Sequence, residues 1–205
     1  MKERPILFSA PMVKAILSGS KTMTRRVVKQ DREGLLDCRP TPAWDAFWKC
    51  VACPYGQPGD RLWVRETWAA IDGVAVRYVA DNVSRVFPVS WPQSAAIHGL
   101  HARHGNKRRP SIHMPRWASR ILLEITDVRV ERAQDISEDD ARAEGIAYSE
   151  RFEGYCTGEA EHFNSHDPRQ SYFSLWEAIN GAGSVAANPW VWVVEFKRID
   201  VAEGS

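Results

Sequence analysis

The chain has almost no net charge: 27 Lys and Arg against 26 Asp and Glu leave +1 over 205 residues. That balance excludes a general polyanion-binding surface, so any nucleic-acid contact has to come from a local patch. Apolar runs of membrane-spanning length are absent, and Met1-Lys2-Glu3-Arg4-Pro5 lacks the apolar segment of a signal peptide. A soluble, cytoplasmic protein is therefore expected. Cysteine is scarce, with four residues in all. Cys50 and Cys53 form a CxxC, Cys38 lies upstream and Cys156 far downstream. A structural zinc wants four ligands, often as two close pairs. With a single close pair, reduced thiols are the expectation, ahead of zinc and of a disulfide. His162 and His166 would share a face only on a helix, and Asn164, Ser165 and Asp167-Pro168 oppose one. No metal ligands are assigned and no cofactor is expected. Internal repeats are also missing.

What is present is an ordinary globular composition, 44% hydrophobic, with nine Trp to bury. Pro5-Ile6-Leu7-Phe8 reads as a short strand. Ser9 or Ala10 then opens a helix with Pro11 at its first position and Met12, Val13, Ile16 and Leu17 as its apolar stripe. Gly19 ends it. Immediately after comes Gly19-Ser20-Lys21-Thr22-Met23-Thr24-Arg25-Arg26, with one lysine, two threonine hydroxyls and two guanidiniums in six consecutive residues. Lysine beside hydroxyls can do acid–base or nucleophilic work, and adjacent arginines can hold an anion. A solvated basic turn is the equal alternative on spacing alone.

Further along, a turn cluster at Tyr55-Gly56-Gln57-Pro58-Gly59-Asp60 leads into a strand over 61–68. Its alternation places Leu62, Val64, Glu66 and Trp68 on one face. Glu66 on an apolar face needs an ion pair or a direct role. Val74–Val79 reads as the next strand, joined through Asp72-Gly73. Residues 81–115 read as irregular, with a basic run at 103–109 taken as either a mobile solvated loop or a phosphate contact. Arg116 beside Trp117 suits stacking on a base, or a core position for the tryptophan. A long strand follows over 120–131, with a break near Asp127. Ser137 caps a short acidic helix that Gly145 stops. Glu144 sits in its last turn against the helix dipole, by accident or held by a cation such as Lys21. Residues 147–168 read as loop. Asp167-Pro168 opens an amphipathic helix whose Tyr172, Phe173, Leu175, Trp176 and Ile179 read as core. Trp190–Lys197 is the clearest strand of the chain. Several strands with short helices between them imply an α+β fold, a small mixed β-barrel with short flanking helices and long loop insertions.

The order of parts resembles the ASCH family of PUA-like β-barrels. It runs from Gly-x-Lys-Thr-x-Thr-Arg-Arg through Pro-Gly-Asp-x-Leu-Trp-Val-Arg-Glu and Ile-Ser-Glu-x-x-Ala-x-x-Glu-Gly to a closing Trp-Val-x-x-Phe strand. The chain is most similar to the larger members carried by phages and prophages. The resemblance covers about 4–28, 55–80, 115–147 and 170–199, within a single domain spanning 1–205 with insertions at about 30–54, 81–113 and 148–168. It implies amide hydrolysis of an acylated nucleoside such as N4-acetylcytidine, without metal. Lys21, Thr24 and Glu144 match the family's catalytic lysine, threonine and glutamate. Thr22, Arg25, Arg26, Glu66, Trp68, Arg116 and Trp117 are the expected substrate-binding residues. The alternatives are an RNA or modified-nucleotide binding module without catalysis, and a metal-independent ribonuclease. Nucleoside or RNA is the expected partner, and no membrane.

Overall fold

A computed structural model describes residues 1–28, 53–156 and 165–199. In chain order the elements are β1 (Glu3–Leu7), α1 (Ala10–Leu17), β2 (Met23–Val27), β3 (Arg61–Arg65), β4 (Trp68–Ile71), β5 (Ala75–Tyr78) and β6 (Ser84–Val86). They continue with α2 (Pro92–His104), β7 (Leu122–Arg132), α3 (Glu138–Ala143), β8 (Ala147–Ser149), β9 (Gly154–Cys156), α4 (Pro168–Asn180) and β10 (Trp190–Ile199). The fold is α+β, as the alternating periods imply.

The main sheet has five strands in the order β1-β3-β7-β10-β2. β1 and β3 run parallel, and the remaining pairs are antiparallel. β10 is long and buried because Val191, Val193 and Val194 have no exposure, and it joins β7 on one side to β2 on the other. A register shift between Glu195 and Phe196 leaves Thr126 as an extra residue on β7, a bulge that accounts for the break near Asp127. One apolar cluster packs Ile6, Val13, Ile16, Leu62, Leu123, Ile125, Val194 and Phe196 between α1 and this sheet. A second, around Met23, Ile136, Ile146, Tyr172 and Trp176, seats α3 and α4 on its other side.

Three expectations are corrected. The sheets do not close into a barrel: among the described residues β1 and β2 end the five-stranded sheet as unpaired edges, and β4-β5-β6 form a separate sheet. The cause lies at Glu66-Thr67, where the single strand expected over 61–68 breaks into β3 and β4. The alternation survives the break, since Leu62, Val64, Glu66 and Trp68 are all buried, but the last joins a different core.

The second correction is at 81–113, which is not irregular. It supplies β6 and the 13-residue α2. Pro92 sits in the first turn, and Ala95, Ala96 and Ala102 favour helix. Only Ser94 and Ile97 of this helix are buried, so it lacks the apolar stripe that periodicity detects. The basic run is tied down too: Arg109 exchanges both backbone hydrogen bonds with Trp68, at 2.7 and 3.2 Å, and its guanidinium lies over the Trp68 ring. Third, 147–168 contains the β8–β9 hairpin, stacked through Tyr148 and Tyr155. Most of the 30–54 insertion, with Cys38 and Cys50, and likewise His162, lies outside the described residues. Neither Cys53 nor Cys156 forms a disulfide among the described residues. No group of His, Cys, Asp and Glu among the described residues is arranged to hold a metal ion. No described helix is long and apolar enough to cross a membrane.

Candidate active site

Helix α1 ends at Leu17, and the chain turns through Ser18-Gly19-Ser20 so that the Lys21 amide donates to the Ala15 carbonyl at 3.0 Å. Lys21 then forms an isolated antiparallel bridge with Glu144, and the Thr22 amide donates to Ala143 at 2.8 Å. Thr22 is itself exposed, and its carbonyl accepts from Phe196. Two stretches more than a hundred residues apart are thus held backbone to backbone before any side chain is considered. The approach is close enough to require glycine at 145. Gly145 has φ +98°, and a Cβ there would meet Ala15 Cβ at 3.2 Å and Lys21 Cβ at 3.4 Å.

The side chains repeat the connection. Lys21 Nζ donates to Glu144 Oε2 at 2.6 Å and to the Glu144 carbonyl at 2.8 Å. Both residues are buried, at 2% and 7% exposure. Burial lowers the Lys21 pKa from its ordinary value, against the opposing pull of the Glu144 carboxylate. Arg26 and Arg25 add to the lowering. Glu144 caps the C-terminus of α3, where its carboxylate faces the negative end of the helix dipole. Lys21 is the cation that holds it there. At the other end of α3, the Ser137 hydroxyl accepts from the Asp140 amide, as its capping pattern implies.

Arg25 reinforces the same corner. It is fully buried, donates to Asp140 at 2.6 Å and to Glu131 at 3.0 Å, and lies 3.6 Å from Glu144 Oε1. Its guanidinium is committed to the scaffold, pinning α3 to β2 and β7. Arg26 is more open: it donates to the Leu7 carbonyl at 2.8 Å and lies over the Phe8 ring, as does Lys21 Nζ.

A pocket opens beside this corner. Thr24, Arg25, Arg26 and Glu144 form one wall, Met12 and Tyr55 border it, and Tyr172, Leu175, Trp176 and Asn180 of α4 close the other side. Its cavity volume is about 130 Å³, below the ~300 Å³ at which drug-sized ligand pockets begin. It suits a planar ring or a small acyl group. Lys21 does not itself line it and reaches it through Glu144. Among the described residues, four buried polar atoms on side chains that line the pocket have no hydrogen-bond partner: Arg25 Nε, Glu144 Oε1 (in an ion pair with Arg25 at 3.6 Å), Tyr172 Oη and Trp176 Nε1. An unpaired buried polar group costs roughly 1–3 kcal/mol, so a polar ligand that enters the pocket and pairs with these atoms gains by doing so. Two donors, one acceptor and one phenol that can do either are on offer. Burial raises the Tyr172 pKa well above the ordinary phenol value, so its proton stays in place to be donated.

Tyr172 and Trp176 were read from sequence as core, and their rings do pack there. Their polar tips are the part that reading missed. Tyr172, Trp176 and Asn180 recur every four residues on one face of α4, a stripe of polar-tipped side chains that an apolar count ignores.

The remaining sequence candidates lie outside this pocket. Glu66 is buried and held by both ends of the Arg120 guanidinium, at 2.9 and 3.0 Å, while Arg120 also takes Asp81. Trp68 has no exposure and meets Trp117 edge to face within the β4–β5 core. Arg116 pairs with Glu3 at 2.8 Å. The structure therefore brings together Lys21, Thr24, Arg25, Arg26 and Glu144, with Thr22 at their edge. It does not bring Glu66, Trp68, Arg116 or Trp117 to them.

No family model and no curated protein matches the chain. Among solved structures it is similar to an ASCH domain from Lactobacillus crispatus JV V101, over 96% of this chain and 79% of that one, at 14% identity and a TM-score of 0.39. A likeness at that level does not establish membership of a family.

Proposed function

We propose that the chain is a hydrolase of an amide bond in an acylated nucleoside, N4-acetylcytidine being the model substrate, working without a metal through Lys21, Thr24 and Glu144. The observation that carries this reading is the buried Lys21–Glu144 pair beside Thr24, opening on a pocket ringed by unpartnered polar atoms. In the proposed reaction Thr24 Oγ attacks the acyl carbonyl and Lys21, in its neutral form, takes the hydroxyl proton. The tetrahedral oxyanion is met by Arg26, the less committed of the two arginines. Collapse breaks the C–N bond, and the proton passes through Glu144 to the leaving amine. Water then releases the acid from the Thr24 ester. A lysine with a depressed pKa suits the base role because more of it is neutral near physiological pH.

The test is conversion of N4-acetylcytidine to cytidine and acetate, followed chromatographically. Turnover by the unmodified chain, retained in Thr24→Ser and lost by two orders of magnitude or more in Thr24→Val, is the expected result. Equal turnover in Thr24→Val would remove the threonine from the mechanism. A second reading, a nucleoside-binding module without catalysis, is favoured by one observation: Lys21 Nζ spends two hydrogen bonds on Glu144 and does not line the pocket. Tight binding of the acylated nucleoside by a chain that never turns it over would select it.

A further inference from the structure

Charge is strongly segregated along the sequence. Between Arg61 and Arg120 there are ten Lys and Arg against three Asp and Glu, an excess of seven positive charges. The remainder of the chain therefore carries an excess of six negative charges behind its overall +1. Four of the six histidines fall in the same basic stretch. This stretch builds β3 of the main sheet, the small sheet, α2 and their connections, and none of the lining of the pocket beside Lys21.

Both faces of the small sheet bury their apolar side chains, one more deeply than the other. Trp68, Ala70, Val76 and Tyr78 point into the core with Ile97 and Met114. The other face presents Ala69, Ile71 and Ala75. Beside the short Ala69 side chain lies a hollow of about 280 Å³, floored by Ala69, Ile71 and Val79 and rimmed by Arg77, Arg108, Asn82 and Asn106. Its geometry is set by backbone pairing. Ala69 is in register with Arg77 across β4 and β5, and the Trp68–Arg109 bridge lays Arg108 alongside the other edge of β4. Asn106 bonds the Asp72 backbone amide and carboxylate at 3.3 and 3.4 Å, which ties the loop after α2 to the β4–β5 turn. Arg77 and Arg108 are exposed and form no salt bridge with a carboxylate among the described residues. Two exposed guanidiniums without a carboxylate partner at a concave rim give it a positive potential that favours an anion.

We infer that this hollow is a second site that takes one nucleotide of a single-stranded polynucleotide, with Arg77 and Arg108 on successive phosphates and the carboxamide of Asn82 on the base edge, Asn106 being held by Asp72. Guanidiniums grip phosphate oxygens without reading sequence, whereas carboxamides offer both a donor and an acceptor to an unpaired base. A duplex would hide that base edge, and the hollow would then be left empty. The inference stands apart from the proposed hydrolysis: it concerns residues that the Lys21 pocket does not use, and its readout is binding.

The experiment is fluorescence anisotropy of the full chain with a labelled single-stranded RNA about a dozen nucleotides long, titrated between about 50 and 200 mM salt. Each phosphate released contributes about 0.7 to the slope of log affinity against log salt for a single strand. The double variant Arg77→Ala/Arg108→Ala is expected to lose at least tenfold in affinity and about 1.4 in that slope, with an unchanged melting temperature because both side chains are exposed. Arg77→Lys/Arg108→Lys should keep the slope. Asn82→Ala should weaken binding without altering it. An unmodified chain that shows no salt-dependent RNA binding overturns the inference. So does a double variant with unchanged slope, or a chain that prefers phosphatidylserine vesicles to RNA.

Discussion

At the scale of single residues, the Lys21–Glu144 pair is a staple of the fold and, in the proposed reaction, also a reagent. Breaking a buried pair from one side leaves a bare charge and costs about 3–5 kcal/mol, whereas exchanging both partners for apolar groups of similar volume is close to neutral. Lys21→Met and Glu144→Leu are each expected to lower stability by that amount in urea unfolding, and the double variant to recover most of it. All three should be inactive. A double variant as unstable as the sum of the singles would show that the two residues do not act as a pair. Tyr172 behaves differently. Its hydroxyl has no hydrogen-bond partner among the described residues, so Tyr172→Phe should cost no stability, although losing a satisfied buried hydroxyl ordinarily costs about 1 kcal/mol. Affinity for the nucleoside, by calorimetry, should nevertheless fall about tenfold. A clear drop in melting temperature with unchanged affinity would place that hydroxyl in the scaffold and not in the site.

At the scale of elements, the motif around Pro58-Gly59-Asp60 has a structural meaning that its chemistry-like appearance conceals. Asp60 accepts from the Lys2 amide at 2.7 Å and from Arg4 at 2.9 Å, locking the parallel β1–β3 pair at its start. Glu66 does a similar job where β3 gives way to β4, and burial raises its pKa against the opposing effect of Arg120. A carboxyl with a folded pKa above its unfolded value, 4.5 in the unperturbed state, favours folding below that value and loses the advantage as pH rises through the folded pKa. Removing Arg120 raises the folded pKa further. Arg120→Ala should therefore be destabilised by about 3–5 kcal/mol at neutral pH and by much less near pH 4, without loss of hydrolysis. Equal destabilisation at both pH values would show that the ion pair is not the cause. The β4–β5 turn shows what sequence conveys well: Asp72 and Gly73 both have positive φ, +50° and +71°, the geometry that an Asp-Gly pair signals. Gly73→Ala is expected to cost more than 1 kcal/mol, since its Cβ would fall 2.8 Å from His98 Nδ1.

At the scale of the whole molecule, legibility followed the kind of signal each part emits. Strands β7 and β10, the Pro-opened helices α1 and α4, and the capping of α3 by Ser137 were readable because local chemistry and local structure agree. The meeting of Lys21 with Glu144 was one of two readings of a carboxylate set against the helix dipole, an accident of sequence being the other, and the 2.6 Å contact selects it. Helix α2 was hidden by its small buried face, and the division of 61–68 between two sheets was hidden because alternation continues unbroken through the bend. Openness of the main sheet could not be read at all, since it depends on which edges meet. The polar tips of Tyr172 and Trp176 were masked by the hydrophobic rings that carry them.

The claim that ties these scales together is that burial turns Lys21 into a base serving Thr24. The dependence of kcat/KM on pH for N4-acetylcytidine tests it most directly, because its rising limb reports the free protein's essential base. The expected limb lies below the ordinary lysine value of 10.5. It should move to lower pH in whatever activity Glu144→Gln retains, since the neighbouring carboxylate raises the Lys21 pKa, and vanish in Thr24→Val. A rate that does not depend on pH below that value, or a limb that Glu144→Gln moves upward, would contradict the account.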